Sequence, residues 1–380
     1  MENFTVYNPT RLYFGNKALE KLPDELAQTG KKVLLITGKE SAKKHGYYNQ
    51  VVQILQTSNK KIIEYSGIKP NPVVDDAEKA VQLALQEKID GVLALGGGSV
   101  IDTAKMVALA YANKQDVWQL MKRKVEPVRN IPLWVVLTLA ATGSEMNGAA
   151  VLQNHQTNEK IGYFSPLMYP RASFLNPEFT LSVPKNQTIN GIVDLVAHSL
   201  EAYFANGNTP LSDRFVASNI LEAMDYAPNL LNNLTDYNLR ARMMWNATVA
   251  ENGTTMHGRS VSGDWGTHAL AHHISLLWDT PHGQTLSVVF PAWMKAMYYK
   301  IDTRLEYLGT LLTGKKTTAD QTINIMENFF KSIEAPTRFA ELGLNENDKS
   351  KLLDLWKNNR PNGMYIDMDE TDYETIIRYL

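Results

Sequence analysis

The chain has 380 residues, with 38 basic and 40 acidic side chains, eight histidines and no cysteine. That length suits two domains of ordinary size, and a hydrophobic content of 44% can build a large core, which excludes a disordered chain. The missing cysteine rules out disulfides, thiolate-held zinc, iron–sulfur clusters and a catalytic thiol, and the net charge of −2 argues against nucleic acid as a partner.

The first half alternates strands and helices. Val33–Thr37 (VLLIT) reads as a buried strand and residues 61–65 (KIIEY) as a second. A helix is expected from Val74 to Gln86, with Ala77, Ala80, Val81 and Ala84 on one face. Gly91–Leu95 reads as a strand, residues 100–112 as a helix, and residues 133–139 as a further strand. Such alternation makes βαβ units and a parallel sheet. From Asn186 onward the pattern is helical, over 191–204, 213–227, 239–251 and 319–333. The expected architecture is an α/β Rossmann-like parallel-sheet domain over 1–185, followed by an all-helical domain over 186–380. No apolar run approaches the roughly 18 residues of a membrane span, and the start lacks a signal-peptide pattern, so a cytoplasmic protein without membrane contact is expected.

Three loops carry nucleotide signals. Gly96, Gly97, Gly98 and Ser99 lie between a predicted strand and a predicted helix, where free N–H groups and the helix dipole favour a phosphate. The glycines permit positive φ and close approach, and Ser99 with Asp102 has the spacing of a capping box. The loop departs from G-x-G-x-x-G, because Ile occupies position 101. Thr138, Thr142 and Ser144 place hydroxyls at the carboxyl end of the last predicted strand, where open α/β sheets bind ligands. After the first predicted strand come Gly38, Lys39, Ser41, Lys43 and Lys44, which favour the 2′-phosphate of NADP, with Glu40 as a contrary charge. Gly309–Lys316 imitates a P-loop but follows a helical pattern and lacks the magnesium-binding hydroxyl.

Five of the eight histidines fall in two clusters. Asp194, His198 and Glu201 stand at i, i+4 and i+7 on one helix face. His268 and His272 are one turn apart, followed by His273, and His282 comes after Pro281. A carboxylate and several imidazoles on apolar helices suit a metal ion or a buried polar network, since either satisfies groups that are costly to bury unpaired.

The combined motifs resemble the iron-containing alcohol dehydrogenase family, over nearly the whole chain. The carriers are GGGSVIDTAK at 96–105, ATGSE at 141–145, the Asp194, His198 and Glu201 spacing, His268 and His282 fourteen residues apart, and the PNP triplet at 70–72. Within the family, GDWGTHALAHHI and TGKESAKK look most similar to the NADPH-dependent aldehyde reductase and butanol dehydrogenase branch. The resemblance implies that Asp194, His198, His268 and His282 hold one divalent metal, zinc or iron, and that Gly97, Gly98 and Ser99 hold the pyrophosphate. It implies further that Thr138, Thr142, Ser144, Asn71 and Lys160 face the cofactor, and that His272 lies beside the metal as a proton relay. Lys39, where NAD-using relatives often carry Asp, supports NADP(H). Relatives are commonly homodimers. Ala141 and the pair Met146–Asn147 depart from the family's usual Gly and Val–Thr. The expected reaction is reversible hydride transfer between NADP(H) and an aldehyde or primary alcohol such as butanal or butanol. Rival readings are an NAD-dependent 1,2-diol or lactaldehyde reductase of the same family, a dehydroquinate-synthase-like lyase, which would call for a basic substrate cluster, and a non-catalytic sensor.

Overall fold

The computed structural model describes all residues, Met1–Leu380, in two compact units. One comprises Tyr7–Val183 with Leu234–Met244; the other comprises Met1–Val6, Pro184–Asn233 and Trp245–Leu380.

The first unit is built on a six-stranded sheet: β1 (Arg11–Phe14), β2 (Lys32–Gly38), β3 (Lys61–Ile68), β4 (Gly91–Gly96), β5 (Leu133–Leu137) and β8 (Ala172–Leu175), in the spatial order β1-β8-β5-β4-β2-β3. Every pairing is parallel. The central strands β4 and β5 are buried throughout, as strands covered on both faces must be. Connecting helices are α1 (Leu22–Leu26), α2 (Ser41–Lys44), α3 (Tyr47–Thr57), α4 (Val74–Glu87), α5 (Gly98–Asn113) and α6 (Val117–Met121). A core of Leu22, Val33, Leu35, Leu93, Leu95, Trp134 and Phe174 packs beneath the sheet.

Four strands escaped the sequence reading. β1 is four residues long with a half-exposed pattern, and β8 is equally short. The antiparallel ribbon β6 (Ala149–Asn154) and β7 (Glu159–Phe164) pairs AAVLQN with EKIGYF, neither of which carries a long apolar run or a strict alternation. The predicted strand over 133–139 ends at Leu137, and the predicted helix over 100–112 begins at Gly98.

The second unit is helical: α7 (Lys185–Phe204), α8 (Pro210–Asn232), the last part of α9 (Tyr237–Glu251), α10 (Gly266–Trp278), α11 (His282–Ala296), α12 (Tyr298–Thr313), α13 (Ala319–Ser332), α14 (Glu346–Asn359) and α15 (Glu370–Tyr379). The helix α7 is buried over nearly its whole length, so its polar residues must find partners inside. The P-loop look-alike is the carboxyl end of α12, with Gly314 in the left-handed conformation that closes it. No helix is long and apolar enough to cross a membrane.

Candidate functional site

In the sheet unit, the glycine loop leads from β4 into α5. Gly97 caps the helix in an extended conformation, and no side chain bonds to the helix start. The capping box expected of Ser99 and Asp102 is therefore absent, because the helix begins two residues earlier, at Gly98, and Ser99 is already inside it. None of Gly96, Gly97 and Gly98 adopts positive φ. At Gly98 the need for glycine is close packing: a Cβ there would lie 2.4 Å from Thr142 Cγ2 and 2.6 Å from Thr142 Oγ1. The Thr138 N–H donates to the Gly96 carbonyl at 3.0 Å. The glycine loop and the hydroxyl-bearing loop after β5 are thus one construction.

Beneath them runs a polar network. Asp102 accepts from the Ser144 hydroxyl at 2.6 Å and the Val151 N–H at 2.9 Å. Burial pushes the Asp102 carboxyl up, with Lys105 pulling the other way. The fully buried Lys105 donates to Ser144 Oγ (2.8 Å), Asn147 Oδ1 (2.9 Å) and the Ala149 carbonyl (2.7 Å). Ser144 and Asp102 are therefore committed to holding the two loops together. Lys105 was missed, although a lysine amid the apolar run of α5 is a signal in itself. Asn147, one of the departures from the family pattern, has its place as a partner of Lys105. Lys160 donates to Asn71 Oδ1 at 2.8 Å, both residues buried, and Asn71 is left-handed with φ 52°. Lys39, Ser41, Lys43 and Lys44 are exposed around the end of β2 and on α2, with Gly38 partly covered.

In the helical unit, Asp194, His268 and His282 each bring one donor atom into a group whose members all lie within 4.8 Å of one another. His198 Nε2 lies 3.7 Å from Asp194 Oδ1, and His282 Nε2 lies 3.8 Å from the same oxygen. The His198 and His268 rings stack at 4.9 Å between centroids. The tightest group therefore has three of the four expected ligands, with His198 against its carboxylate. Asp194, His198 and His268 are buried and His282 is partly open. The His272 ring stands 5.2 Å from that of His282 and 6.4 Å from that of His268. His273 turns elsewhere: its Nδ1–H donates to the Ala269 carbonyl at 2.8 Å, and the Asn359 amide lies 3.1 Å from Nε2.

Two carboxylates support the turn into α10. Glu201 accepts from the backbone N–H of Trp265 (2.6 Å) and of His268 (3.0 Å). Burial pushes the Glu201 carboxyl up to about 7, against the pull of those N–H groups. Asp264 accepts from the N–H groups of Ile366, Tyr365 and Gly266, and burial, then the neighbouring Glu201, push it to about 7 as well. Trp265 itself is left-handed at φ 62°, with its ring 5.2 Å from that of His268 and 5.9 Å from that of His198. One buried carboxylate oxygen facing two or three imidazole nitrogens is a donor set for a divalent cation of the zinc or iron kind.

Comparison with known proteins agrees. Residues 9–177 match the iron-containing alcohol dehydrogenase family, and residues 188–379 match the carboxyl-terminal region of the same family. The chain belongs to the iron-containing alcohol dehydrogenases. A probable NADH-dependent butanol dehydrogenase 1 of Bacillus subtilis is 38% identical, covering 100% of this chain and 99% of that protein. The NADPH-dependent aldehyde reductase YqhD of Escherichia coli is 33% identical over 96% of this chain and 94% of its own length. The crystal structure of NADH-dependent butanol dehydrogenase A from Thermotoga maritima superposes with a TM-score of 0.95 at 36% identity, covering 100% of this chain and 98% of that one. The protein is accordingly a metal-dependent, NAD(P)-dependent oxidoreductase of alcohols and aldehydes. Relatives named for NADH and for NADPH both occur, so family membership leaves the choice of nicotinamide open.

Proposed function

We propose that this dehydrogenase reduces short aldehydes such as butanal with NADPH, on a divalent metal held by Asp194, His198, His268 and His282. The convergence of Asp194, His268 and His282 within 4.8 Å carries the reading. When bound, the nicotinamide supplies the hydride and the metal withdraws charge from the carbonyl oxygen. Asp194 contributes the only carboxylate among the four, which lowers the charge of the site, while neutral imidazoles leave it electron-poor. His198 packs against His268 and limits its ring to one plane. His272 is the nearest remaining imidazole and carries the proton to the product oxygen, directly or through water. Trp265 supplies an apolar wall, in keeping with an uncharged substrate.

Gly97, Gly98 and Ser99 receive the pyrophosphate, and Thr138 and Thr142 flank it. Asp102 and Ser144 act through the loops they hold, and Asn71 with Lys160 offers a fixed cation to the nucleotide. Lys39, Ser41, Lys43 and Lys44 outweigh Glu40 around the ribose, which favours a 2′-phosphate. The reading includes a homodimer, as the resemblance implies, and a cytoplasmic location. Initial rates with butanal and either NADPH or NADH test it: a higher kcat/KM with NADPH supports the assignment, and a preference for NADH overturns that part of it.

A further inference from the structure

Helix α7 carries Asp194, His198 and Glu201 on one face, and the third of these reaches α10 rather than the metal-type cluster. Glu201 Oε1 accepts from the His268 backbone N–H at 3.0 Å and lies 2.8 Å from His268 Nδ1. Its Oε2 accepts from the Trp265 N–H at 2.6 Å. A carboxylate accepts hydrogen bonds and donates none, so Nδ1 must bring the proton to this contact. With Nδ1 so committed, Nε2 is the nitrogen that remains for the group shared with Asp194 and His282. The surrounding turn allows little freedom. Trp265 sits in a left-handed conformation that a bulky residue rarely adopts, and it persists because the neighbouring bonds over-determine it. Those bonds are Glu201 on Trp265 and His268, and Asp264 on Gly266, Tyr365 and Ile366.

We propose that Glu201 is a positioning residue: it fixes the proton of His268 on Nδ1 and so turns Nε2 towards Asp194 and His282. The inference rests on the metal-site reading above and adds what orients one of its ligands. Carboxylates behind metal-bound imidazoles act in this way generally, and their loss lowers metal affinity about 10- to 100-fold.

The test uses the full chain, labelled with ¹⁵N-histidine, stripped of metal and held near pH 8 so that imidazoles are neutral. His268 is assigned from the signals lost in His268→Asn. The parent is expected to show the Nδ1–H form at His268. Folded Glu201→Ala should lose that preference, and its affinity for cobalt(II), read by titration, should fall about 10- to 100-fold. Glu201→Gln keeps a carbonyl able to accept from Nδ1–H and should recover part of the affinity. A proton on Nε2 of the parent overturns the proposal, as does a folded Glu201→Ala with parental cobalt affinity. If the alanine variant does not fold, the parent's tautomer and the glutamine variant decide. A parent that takes up no cobalt defeats the metal reading itself, while its His268 tautomer still judges Glu201.

Discussion

Gly283 meets the backbone of Asn190 so closely that a Cβ on the glycine would stand 2.4 Å from the Asn190 carbonyl oxygen and 2.6 Å from its Cα. Asn190 is one turn before Asp194 on α7, and Gly283 follows His282 at the start of α11. The missing side chain is what lets the two helices meet where Asp194 and His282 converge. Backbone atoms cannot step aside as a flexible side chain can, so Gly283→Ala must push α11 away. We expect a loss of about 1–3 kcal/mol in stability. Zinc affinity, measured by competition with a chromophoric chelator, should drop about tenfold or more, by analogy with disturbed ligand orientation. Parental affinity in the variant would show that His282 does not depend on this approach.

Gly98 and Thr142 make the corresponding close approach in the sheet unit. Gly98→Ala places a Cβ against a branched side chain at 2.4 Å. NADPH binding, followed by nucleotide fluorescence, should weaken about tenfold, the effect of roughly 1.4 kcal/mol. Shortening the partner in Gly98→Ala/Thr142→Gly should restore part of it, since contacting residues couple. Equal affinities in the single and double variants would place the effect elsewhere than in this contact.

Lys39 supplies the charge test of cofactor choice. It is exposed just beyond β2, where an acidic residue would repel a 2′-phosphate and bond a 2′-hydroxyl. In Lys39→Asp the ratio of kcat/KM for NADPH to that for NADH should fall about 10- to 100-fold, the range expected for losing a charge-assisted bond. An unchanged ratio would remove Lys39 from the ribose site.

Glu327 on α13 meets Lys295 at 2.6 Å and both Lys331 and Arg338 at 2.7 Å. Burial alone would raise its carboxyl, but the hydrogen bonds from the three cations outweigh it and hold the group at about 2, below the ordinary 4.5. A depressed carboxyl stabilises the fold fully above its unfolded value, and the contribution is lost as pH falls towards the folded one. The cations are partly solvated, so Glu327→Gln should cost only about 1–2 kcal/mol at neutral pH. Urea unfolding of parent and variant should differ at pH 7 and converge between about pH 4.5 and pH 2. A gap that widens on acidification would contradict the sign.

Much of this was legible in the sequence. The buried strands β2, β4 and β5 announce themselves as apolar runs, and the helices of the second unit by their period, because burial on a fixed face leaves a pattern. Spacing made two clusters legible, Asp194, His198 and Glu201 on one helix face and His268 with His272 on another, while the set Asp194, His198, His268 and His282 followed only from the family resemblance. The edge strand β1 was not legible, because a half-exposed strand needs little hydrophobicity, and the ribbon β6–β7 was not, because its short strands carry neither a long apolar run nor a strict alternation. The capping box failed because Ser99 and Asp102 match it in spacing, while helix α5 starts two residues sooner. The reliance of Gly98 on Thr142, of Gly283 on Asn190 and of His268 on Glu201 is tertiary, and a single sequence carries no mark of which distant residue crowds a glycine.

The central claim is that a metal at Asp194, His198, His268 and His282 is required for the reaction. It is met most directly by assaying NADPH-dependent reduction of butanal with chelator-stripped protein, before and after adding zinc or ferrous iron, alongside His268→Ala. The account predicts negligible turnover without metal, recovery on adding it to the parent, and no recovery in the variant although it remains folded. Full activity in stripped protein, or in His268→Ala, would contradict it.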